Sequence, residues 1–255
     1  MKGSAHPALK ELEHRPWPLP EDAWRWRQTW HDLLFMHWPV PAVALESHLP
    51  EGVDLDRFDG TAWVGVVPFR MSGVTLRGLP AVPGLSAFPE INVRTYVTAG
   101  GRGSVVFLTL DAANWWAVKA ARHFFHLPYF HARMTCQRQG DAVAYDSVRR
   151  EQPAAEFRGR YGPDGRVVRT RPGTLEHWLT ERYALYTSDQ NGALHTADIH
   201  HAPWPLQDAF AEIDRDSMLA PFGISVSGQP ILHFSSTIEV AIWGLRPVTS
   251  PDGAA

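Results

Sequence analysis

The chain has 255 residues and a formal net charge of -3, and 44% of its residues are hydrophobic. This composition is ordinary for a globular protein with a sizeable core, and no basic cluster interleaved with aromatics suggests nucleic-acid binding. Cys136 is the only cysteine, which excludes an internal disulfide and a thiolate metal cage and fits a cytoplasmic protein. Because the start of the chain is charged and no run of 18 apolar residues occurs, we expect neither a signal peptide nor a membrane span.

The first third of the chain predicts one helix and one strand. Residues 1–20 are Pro-rich and are expected to form a loose arm. Acidic residues then open a predicted helix over residues 21–37, which has an apolar stripe and ends at two prolines. Residues 61–71 are mostly apolar and predict a strand. Residues 72–87 are rich in Gly and Pro and predict a long loop, of a kind that often covers a functional site.

The rest of the chain predicts short strands joined by hairpin turns. Paired strands are expected at 90–98 with 104–110, 129–138 with 142–150, 156–161 with 167–170, and 183–187 with 194–200. Asp111 is expected to cap a helix over residues 112–125, and a second helix is expected at 173–180. Residues 231–245 predict one or two final strands.

These elements predict a single α+β domain over residues 1–255, dominated by antiparallel strands. Strands at hairpin spacing favour a closed barrel or a sandwich, and we expect a barrel with helices packed outside it. A tail is expected from about residue 248.

The most informative pattern lies in residues 88–97. Glu90, Asn92 and Arg94 recur at a spacing of two, which on a strand places all three side chains on one face. One interpretation is a half-solvated strand or a salt-bridged pair. The other is a polar stripe that points at a ligand, with Glu90 as general acid or base and Arg94 as an anion-binding group.

Several short motifs occur in an order that resembles the acetoacetate decarboxylase family. They cover roughly residues 45–135, and they are Leu49-Pro50-Glu51-Gly52, Phe88-Pro89-Glu90, and Ala121-Arg122 followed by Leu127-Pro128-Tyr129-Phe130. The whole chain also resembles the uncharacterised YqjF-like family of bacterial proteins. That resemblance rests on Phe35-Met36-His37-Trp38-Pro39, residues 88–97, Leu127-Pro128-Tyr129, Glu181-Arg182-Tyr183 and Pro203-Trp204-Pro205-Leu206. It implies a β-barrel with a central cavity and brings no established activity.

The chain departs from the decarboxylase at the catalytic motif. There, the first of two lysines forms a Schiff base with the ketone, and the second lowers the pKa of the first. Tyr129 and Phe130 occupy these positions here, and neither forms an imine. The resemblance places Glu90 on a glutamate of the decarboxylase cavity and Arg122 on the arginine of a Gly-Arg-Glu motif. It therefore implies a cavity that has lost the covalent chemistry.

The candidate catalytic residues are thus Glu90 and Tyr129, and the candidate ligand-binding residues are Arg94, Arg122 and Asn92. A phenol in a cavity donates a hydrogen bond to a carbonyl oxygen or to an oxyanion. The alternative for Tyr129 is a tyrosine of the core, and the alternative for each arginine is a place on the surface.

Two other kinds of site are weaker candidates. Lys119 lies on the predicted helix and is the only lysine outside the N-terminal tail, so it would form an imine only if it faced inward. His123, His126 and His131 have a spacing that metal sites use, but a proline interrupts the helix and no carboxylate completes the set. We therefore expect no metal, and the absence of nucleotide-binding motifs predicts no cofactor.

The sequence predicts a cavity for a small organic acid or carbonyl compound, with non-covalent proton chemistry such as enolisation, dehydration or hydrolysis. The alternative is a non-enzymatic protein that binds or senses a small molecule, and a filled barrel would indicate a structural role. An ion pair between Glu90 and Arg94 would favour the binding protein. A Glu90 with a raised pKa, facing open space beside Tyr129, would favour the enzyme. No motif predicts the ligand or the oligomeric state.

Overall fold

A computed structural model describes residues 6–248. The strands within this range are β1 Trp26–Val40, β2 Asp54–Leu55, β3 Ala62–Leu76, β4 Phe88–Ala99, β5 Arg102–Ala112, β6 Tyr129–Gln139, β7 Ala142–Arg149, β8 Glu156–Val168, β9 Ala184–Ser188, β10 Leu194–His200, β11 Leu206–Asp216, β12 Ile231–Ile242 and β13 Arg246–Pro247. The helices are α1 Val43–Glu46, α2 Trp115–Phe125 and α3 Leu175–Thr180, with short 3-10 turns at Pro7–Lys10 and Ala220–Phe222.

The strands of the described residues join one sheet in the order β13-β10-β9-β5-β6-β7-β8-β11-β12-β1-β3-β4-β2. Pairing is antiparallel except where β5 meets β6 and β9. Two further pairings, β4 with β5 and β10 with β12, bring together strands that are distant in this order. The prediction of a mainly antiparallel sheet with few helices is confirmed. No helix in residues 6–248 has the length and apolar character that crossing a bilayer requires.

Two hydrophobic cores lie on opposite faces of β1, β3 and β4. Alternate side chains of each strand enter different cores, so Ile91 belongs to the first core and Tyr96 to the second. The first core is completed by aromatic side chains of β7 and β8, among them Tyr145 and Phe157. The second is completed by β9, β10 and the segment around Trp204. Because both faces are covered, these strands are almost continuously buried.

The helix predicted over residues 21–37 is wrong, because this region is strand β1. Trp30 and Leu33 both face the second core although three positions separate them. Between them Asp32 has a φ of 54°, and the pairing with β3 shifts by one residue after His31. The extra residue forms a β-bulge that changes which side chains face each core. Apolar residues on either side of the bulge therefore recur at a spacing that resembles a helix.

The hairpin predicted within residues 156–170 is also wrong. This region is the single strand β8, which pairs with β7 along one edge and with β11 along the other. Gly162 has no room for a side chain, because a Cβ atom there would lie 2.8 Å from the carbonyl oxygen of Asp141. The glycine permits a close approach of neighbouring chains and does not form a turn. Strand β11 was not predicted.

The remaining hairpins are confirmed, and the helices predicted over residues 112–125 and 173–180 correspond to α2 and α3. Helix α2 is capped by Asn114, whose side chain accepts hydrogen bonds from two backbone amides of the first turn, and not by Asp111. Strand β3 extends to Leu76, so the long loop is shorter than predicted and covers residues 77–87.

The N-terminal segment is not loose where the structure describes it. Arg15 is buried and forms an ion pair with Asp198 of β10, while Trp17 donates to the same carboxylate over 2.9 Å. Residues 6–20 are therefore bound to the surface of the sheet. The first five residues of the predicted arm and the predicted tail after residue 248 lie outside the described residues.

Candidate functional site

A cavity of about 140 Å³ lies in the second core. Its walls come from β1, β3, β4 and β5, from one face of α2, and from the segment around Trp204. The polar residues that line it are Gln28, Glu90, Asn92, Arg94 and Tyr129. The apolar ones are Trp26, Trp30, Leu33, Val67, Phe69, Met71, Val74, Phe88, Phe107, Leu110, Ala117, Ala120, Ala121, Phe125, Leu127, Leu185, Ile199, Trp204 and Ile242.

The polar stripe of β4 faces this cavity. Glu90, Asn92 and Arg94 all line it, and each side chain is at least nine-tenths buried. The residues between them, such as Ile91, pack into the first core. The stripe is buried because β4 lies between β3 and β5 with a core on each face. The half-solvated interpretation of this strand does not hold.

Among residues 6–248, no cationic side chain pairs with the buried acid Glu90. It is 3% exposed, and its Oε2 accepts a hydrogen bond of 2.7 Å from the hydroxyl of Tyr129. Burial raises the pKa of Glu90 to about 8, the hydrogen bond from Tyr129 opposes this rise, and the negative charge of Asp111 adds to it. Around neutral pH the carboxyl group is therefore mainly protonated, and it titrates near the pH at which enzymes operate.

Tyr129 reaches the cavity from the start of β6, directly after α2. Burial and the adjacent Glu90 raise the pKa of Tyr129 well above its ordinary value, so the phenol keeps its proton and acts as a donor. Its backbone carbonyl accepts a bond of 2.6 Å from Nε of Arg122. The side chain of Phe130 lies elsewhere, with the guanidinium of Arg149 stacked 4.1 Å from its ring.

Arg94 carries a buried positive charge without a carboxylate partner among residues 6–248. Its Nη2 donates to the carbonyl of Leu179 over 3.1 Å, while Nε has no partner. The guanidinium lies 5.2 Å from the ring of Phe35. Glu90 and Arg94 therefore do not form the ion pair that one interpretation of the sequence required. An unpaired buried charge is costly, so a ligand that supplies an anion would be held here.

Arg122 does not line the cavity. Its Nη2 binds Glu151 over 2.6 Å, and about a third of its side chain is exposed. Together with its bond to the carbonyl of Tyr129, this geometry ties the end of α2 to β6. Arg122 thus supports the position of Tyr129. It lies outside the wall that a ligand in the cavity would contact.

The other candidate sites lie away from the cavity. Lys119 is exposed on α2, with its ammonium group 5.3 Å from the ring of Trp115. His123 is also exposed. Across the part of the chain that the structure describes, no three His, Cys, Asp or Glu side chains are grouped so as to hold a metal ion. Cys136 packs against the first core, where burial raises the pKa of its thiol to about 12.

Sequence reasoning missed the walls of the cavity. Gln28 and Trp30 line it from β1, and the indole of Trp30 donates to the side chain of Gln28 over 2.7 Å. Trp26, Gln28 and Trp30 also recur at the strand spacing of two, but the longer apolar pattern favoured a helix. The motif Pro203-Trp204-Pro205-Leu206 indicated the family, but it did not place Trp204 at the cavity, because that position depends on contacts with distant segments.

The first core holds the main chain of Glu90 from behind. The hydroxyl of Tyr145 donates to the carbonyl of Glu90 over 2.7 Å and lies 3.2 Å from the carbonyl oxygen of Phe69. Nearby, Arg149 and Asp111 form a fully buried ion pair. The strand that carries the candidate acid is therefore held at its backbone, which restricts the position of the side chain.

Solved structures with this arrangement of strands are acetoacetate decarboxylase-like proteins. The acetoacetate decarboxylase of Legionella pneumophila subsp. pneumophila str. Philadelphia 1 matches with a TM-score of 0.62 and 12% identity, over 92% of this chain and 93% of that chain. The enduracididine biosynthesis enzyme MppR complexed with pyruvate matches with a TM-score of 0.61 and 11% identity, over 93% of each chain. An acetoacetate decarboxylase-like enzyme from Sphingomonas wittichii RW1 matches with a TM-score of 0.59 and 17% identity, over 89% and 94%. At these identities the similarity establishes the fold.

The chain belongs to the DUF2071 family, described as an uncharacterized conserved protein, whose sequence profile matches residues 27–239. It is 43% identical over 229 residues to the uncharacterized protein YqjF of Bacillus subtilis (strain 168), which is 89% of this chain and 94% of that protein. The resemblance to the YqjF-like family and to the fold of acetoacetate decarboxylase is thereby confirmed.

Proposed function

We propose that the protein binds a small organic acid or carbonyl compound in this cavity and catalyses its enolisation without a covalent intermediate. The observation that carries the proposal is Glu90, a buried acid with a pKa of about 8 on a cavity wall, without an arginine partner and hydrogen-bonded to Tyr129. A perturbed titratable group in a cavity is typical of an active site. The Schiff-base route is not proposed, since neither Tyr129 nor Phe130 forms an imine.

The chemistry follows from the two side chains. Ionised Glu90 removes a proton from the carbon next to the ligand carbonyl, so that the C–H bond breaks and an O–H bond forms on the carboxyl group. Once Glu90 carries the ligand's proton, the hydroxyl of Tyr129 keeps its own proton and turns its one hydrogen bond from Glu90 to the enolate oxygen. Glu90 then returns the proton to carbon or, in a dehydration, to the leaving hydroxyl group.

The proposal includes a barrel around the cavity, a cytoplasmic location and a small-molecule ligand in place of a nucleic acid. The pairings of β4 with β5 and of β10 with β12 support the barrel. The single thiol and the net charge of -3 support the location and the ligand class. A second candidate function is ligand binding without turnover, and the mainly apolar lining of the cavity favours it.

Exchange of carbon-bound protons in heavy water tests the enzymatic proposal. Small ketones and oxo acids are incubated with the protein, and NMR follows the loss of the protons next to each carbonyl. We expect exchange to accelerate as the pH rises to about 8, because only ionised Glu90 accepts the proton. Glu90→Gln should abolish exchange, and Tyr129→Phe should slow it by about 10²-fold, the order expected for one lost oxyanion donor.

Glu212→Gln is the matched control, because this glutamate is exposed and lies on β11 outside the cavity. Exchange by Glu90→Gln at the rate of the unsubstituted protein would overturn the proposal. Binding of a ligand without exchange of its protons would instead support the second candidate function, ligand binding without turnover. A borohydride-trapped ketone adduct on Lys119 would also contradict the proposal, because it would restore imine chemistry.

A further inference from the structure

The charges around the cavity leave one cation without a partner. Arg94 lines the cavity, is 8% exposed and has no carboxylate nearby within the described range. Its neighbour Arg182 has a partner, since Nη1 donates to Asp56 over 2.6 Å. His37 adds no charge, because burial and the adjacent Arg94 keep its pKa well below the ordinary value. With Glu90 protonated, the positive charge of Arg94 is therefore uncompensated, and one negative charge on a ligand would balance it.

The surroundings of Arg94 are built to hold it in place. Its Nη2 is bonded to the carbonyl of Leu179, and its guanidinium lies against the ring of Phe35. The ring of His37 packs beside it against Gly65, where a Cβ atom would lie only 2.9 Å from that ring. The unpartnered Nε leaves donor capacity unused. A planar guanidinium in this state matches a carboxylate, which accepts two parallel hydrogen bonds.

The volume and walls of the cavity limit the rest of the ligand. A cavity of about 140 Å³ is close to the roughly 150 Å³ of an engineered apolar cavity that binds benzene. The lining between the polar residues consists of aromatic, aliphatic and alanine side chains. These dimensions limit the apolar body of the ligand to one aromatic ring or a branched alkyl group, and they exclude nucleotides.

The spacing along β4 separates the two polar side chains that a ligand would meet, Glu90 and Arg94. Arg94 lies four positions after Glu90, so their Cα atoms are about 13 Å apart on an extended strand. The bond to Leu179 and the bond from Tyr129 hold the two side chains in separate places. An acid whose carbonyl is adjacent to its carboxylate reaches only one of them.

We propose that the ligand is an oxo monocarboxylate in which one ring-sized apolar body separates the carboxylate, bound by Arg94, from the carbonyl that faces Glu90. The carbonyl end rests on the proposed function, whereas the carboxylate end rests on Arg94 alone. The class includes acylbenzoates and branched acids with a distant ketone, and it excludes pyruvate.

Binding of matched probes tests this ligand class. The acid is para-acetylbenzoate, its neutral analogue is para-acetylbenzamide, and quenching of the cavity tryptophans Trp30 and Trp204 reports binding. We expect the acid to bind about tenfold or more tightly than the amide, because a charge-assisted pair with Arg94 is lost in the amide. Arg94→Gln should remove this preference. Arg158→Gln, a substitution of an exposed arginine on β8, should retain it.

Arg94→Lys keeps the charge and covers the case in which Arg94→Gln does not fold. This variant should bind the acid more weakly than the unsubstituted protein, with the preference for acid over amide retained. Equal affinity for acid and amide, or a preference that persists in Arg94→Gln, would overturn the inference.

The acetyl protons of the same probes separate this inference from the proposed function. Exchange of both probes without a preference for the acid would retain the proposed chemistry and reject the ligand class. A preference for the acid without any exchange would retain the carboxylate site and reject the chemistry. Exchange of pyruvate at the rate of para-acetylbenzoate would reject the separation of the two ends.

Discussion

At the scale of the residue, two buried carboxylates of adjacent strands differ in their partners. Asp111 receives bonds of 2.9 Å and 2.7 Å from Nε and Nη2 of Arg149, in a pair that is fully buried. Glu90 receives one bond from a neutral phenol. A guanidinium compensates the burial of a charge and a phenol does so only in part, so burial raises the pKa of Glu90 to about 8 despite the bond from Tyr129.

The burial of Glu90 predicts how stability depends on pH. The pKa of this group is about 8 in the folded protein against an ordinary value of 4.5. Between these values the unfolded chain releases a proton that the folded protein retains. The contribution of Glu90 to stability is therefore fully present below the ordinary pKa, and it falls as the pH rises through this window.

Glu90→Gln should remove this dependence, because the amide imitates the protonated acid at every pH. Above pH 8 we expect the variant to be more stable than the unsubstituted protein by roughly 2–4 kcal/mol. Near the ordinary pKa of 4.5 the difference should vanish. Chemical denaturation at a series of pH values measures this, with Glu212→Gln as control. A difference that does not change with pH would contradict the assignment of the titration to Glu90.

At the scale of the element, the bulge in β1 determines which side chains reach the cavity. Trp26, Gln28 and Trp30 precede Asp32, and Leu33 follows it, yet all four face the same core or cavity. Asp32 is held by bonds of 2.7 Å to both Arg70 and Arg138. Without the bulge, one part of the strand would turn its aromatic side chains away from the cavity.

Substitutions of Asp32 separate the backbone of the bulge from its ion pairs. Asparagine tolerates a positive φ whereas alanine does not, and both remove the charge. We therefore expect Asp32→Ala to be less stable than Asp32→Asn by about 1 kcal/mol or more in urea denaturation. Equal stability of the two variants would mean that the φ of 54° is not the costly feature of this position.

At the scale of the whole molecule, the N-terminal segment is held on the sheet by one buried and one exposed ion pair. Arg15 and Asp198 are each 2% exposed at the side chain. Arg169 binds Glu11 over 2.7 Å, with 65% of its side chain exposed. Removing one partner costs more stability in a buried pair than in an exposed pair, because the charge that remains in the buried pair has no solvent around it.

Arg15→Met should destabilise the protein by roughly 2–4 kcal/mol, since Asp198 then keeps only its ion pair with Arg246 and its hydrogen bond from Trp17. Arg169→Met is the matched control and should cost about 0–1 kcal/mol. Urea denaturation compares the two variants, and limited proteolysis shows whether residues 6–20 have detached. Similar losses for both variants would indicate that the N-terminal segment is not held by the buried pair.

The sequence by itself determined features that depend only on residues close together in the chain. Alternation at a spacing of two placed Glu90, Asn92 and Arg94 on one face, and glycine-rich turns predicted the hairpins, including that of β4 with β5. The motif around Leu127-Pro128-Tyr129 placed the phenol at the start of a strand after a helix. Local backbone geometry decides all of these, so a single sequence was sufficient.

Only the tertiary structure decided which face was buried and what enclosed it. The bulge at Asp32, the close approach at Gly162 and the position of Trp204 each depend on segments that are distant in the chain. The absence of an ion pair between Glu90 and Arg94 has the same origin, because Tyr129 and Leu179 hold the two side chains apart. Burial on both faces of β1, β3 and β4 comes from strands far along the chain, and this burial raises the pKa of Glu90.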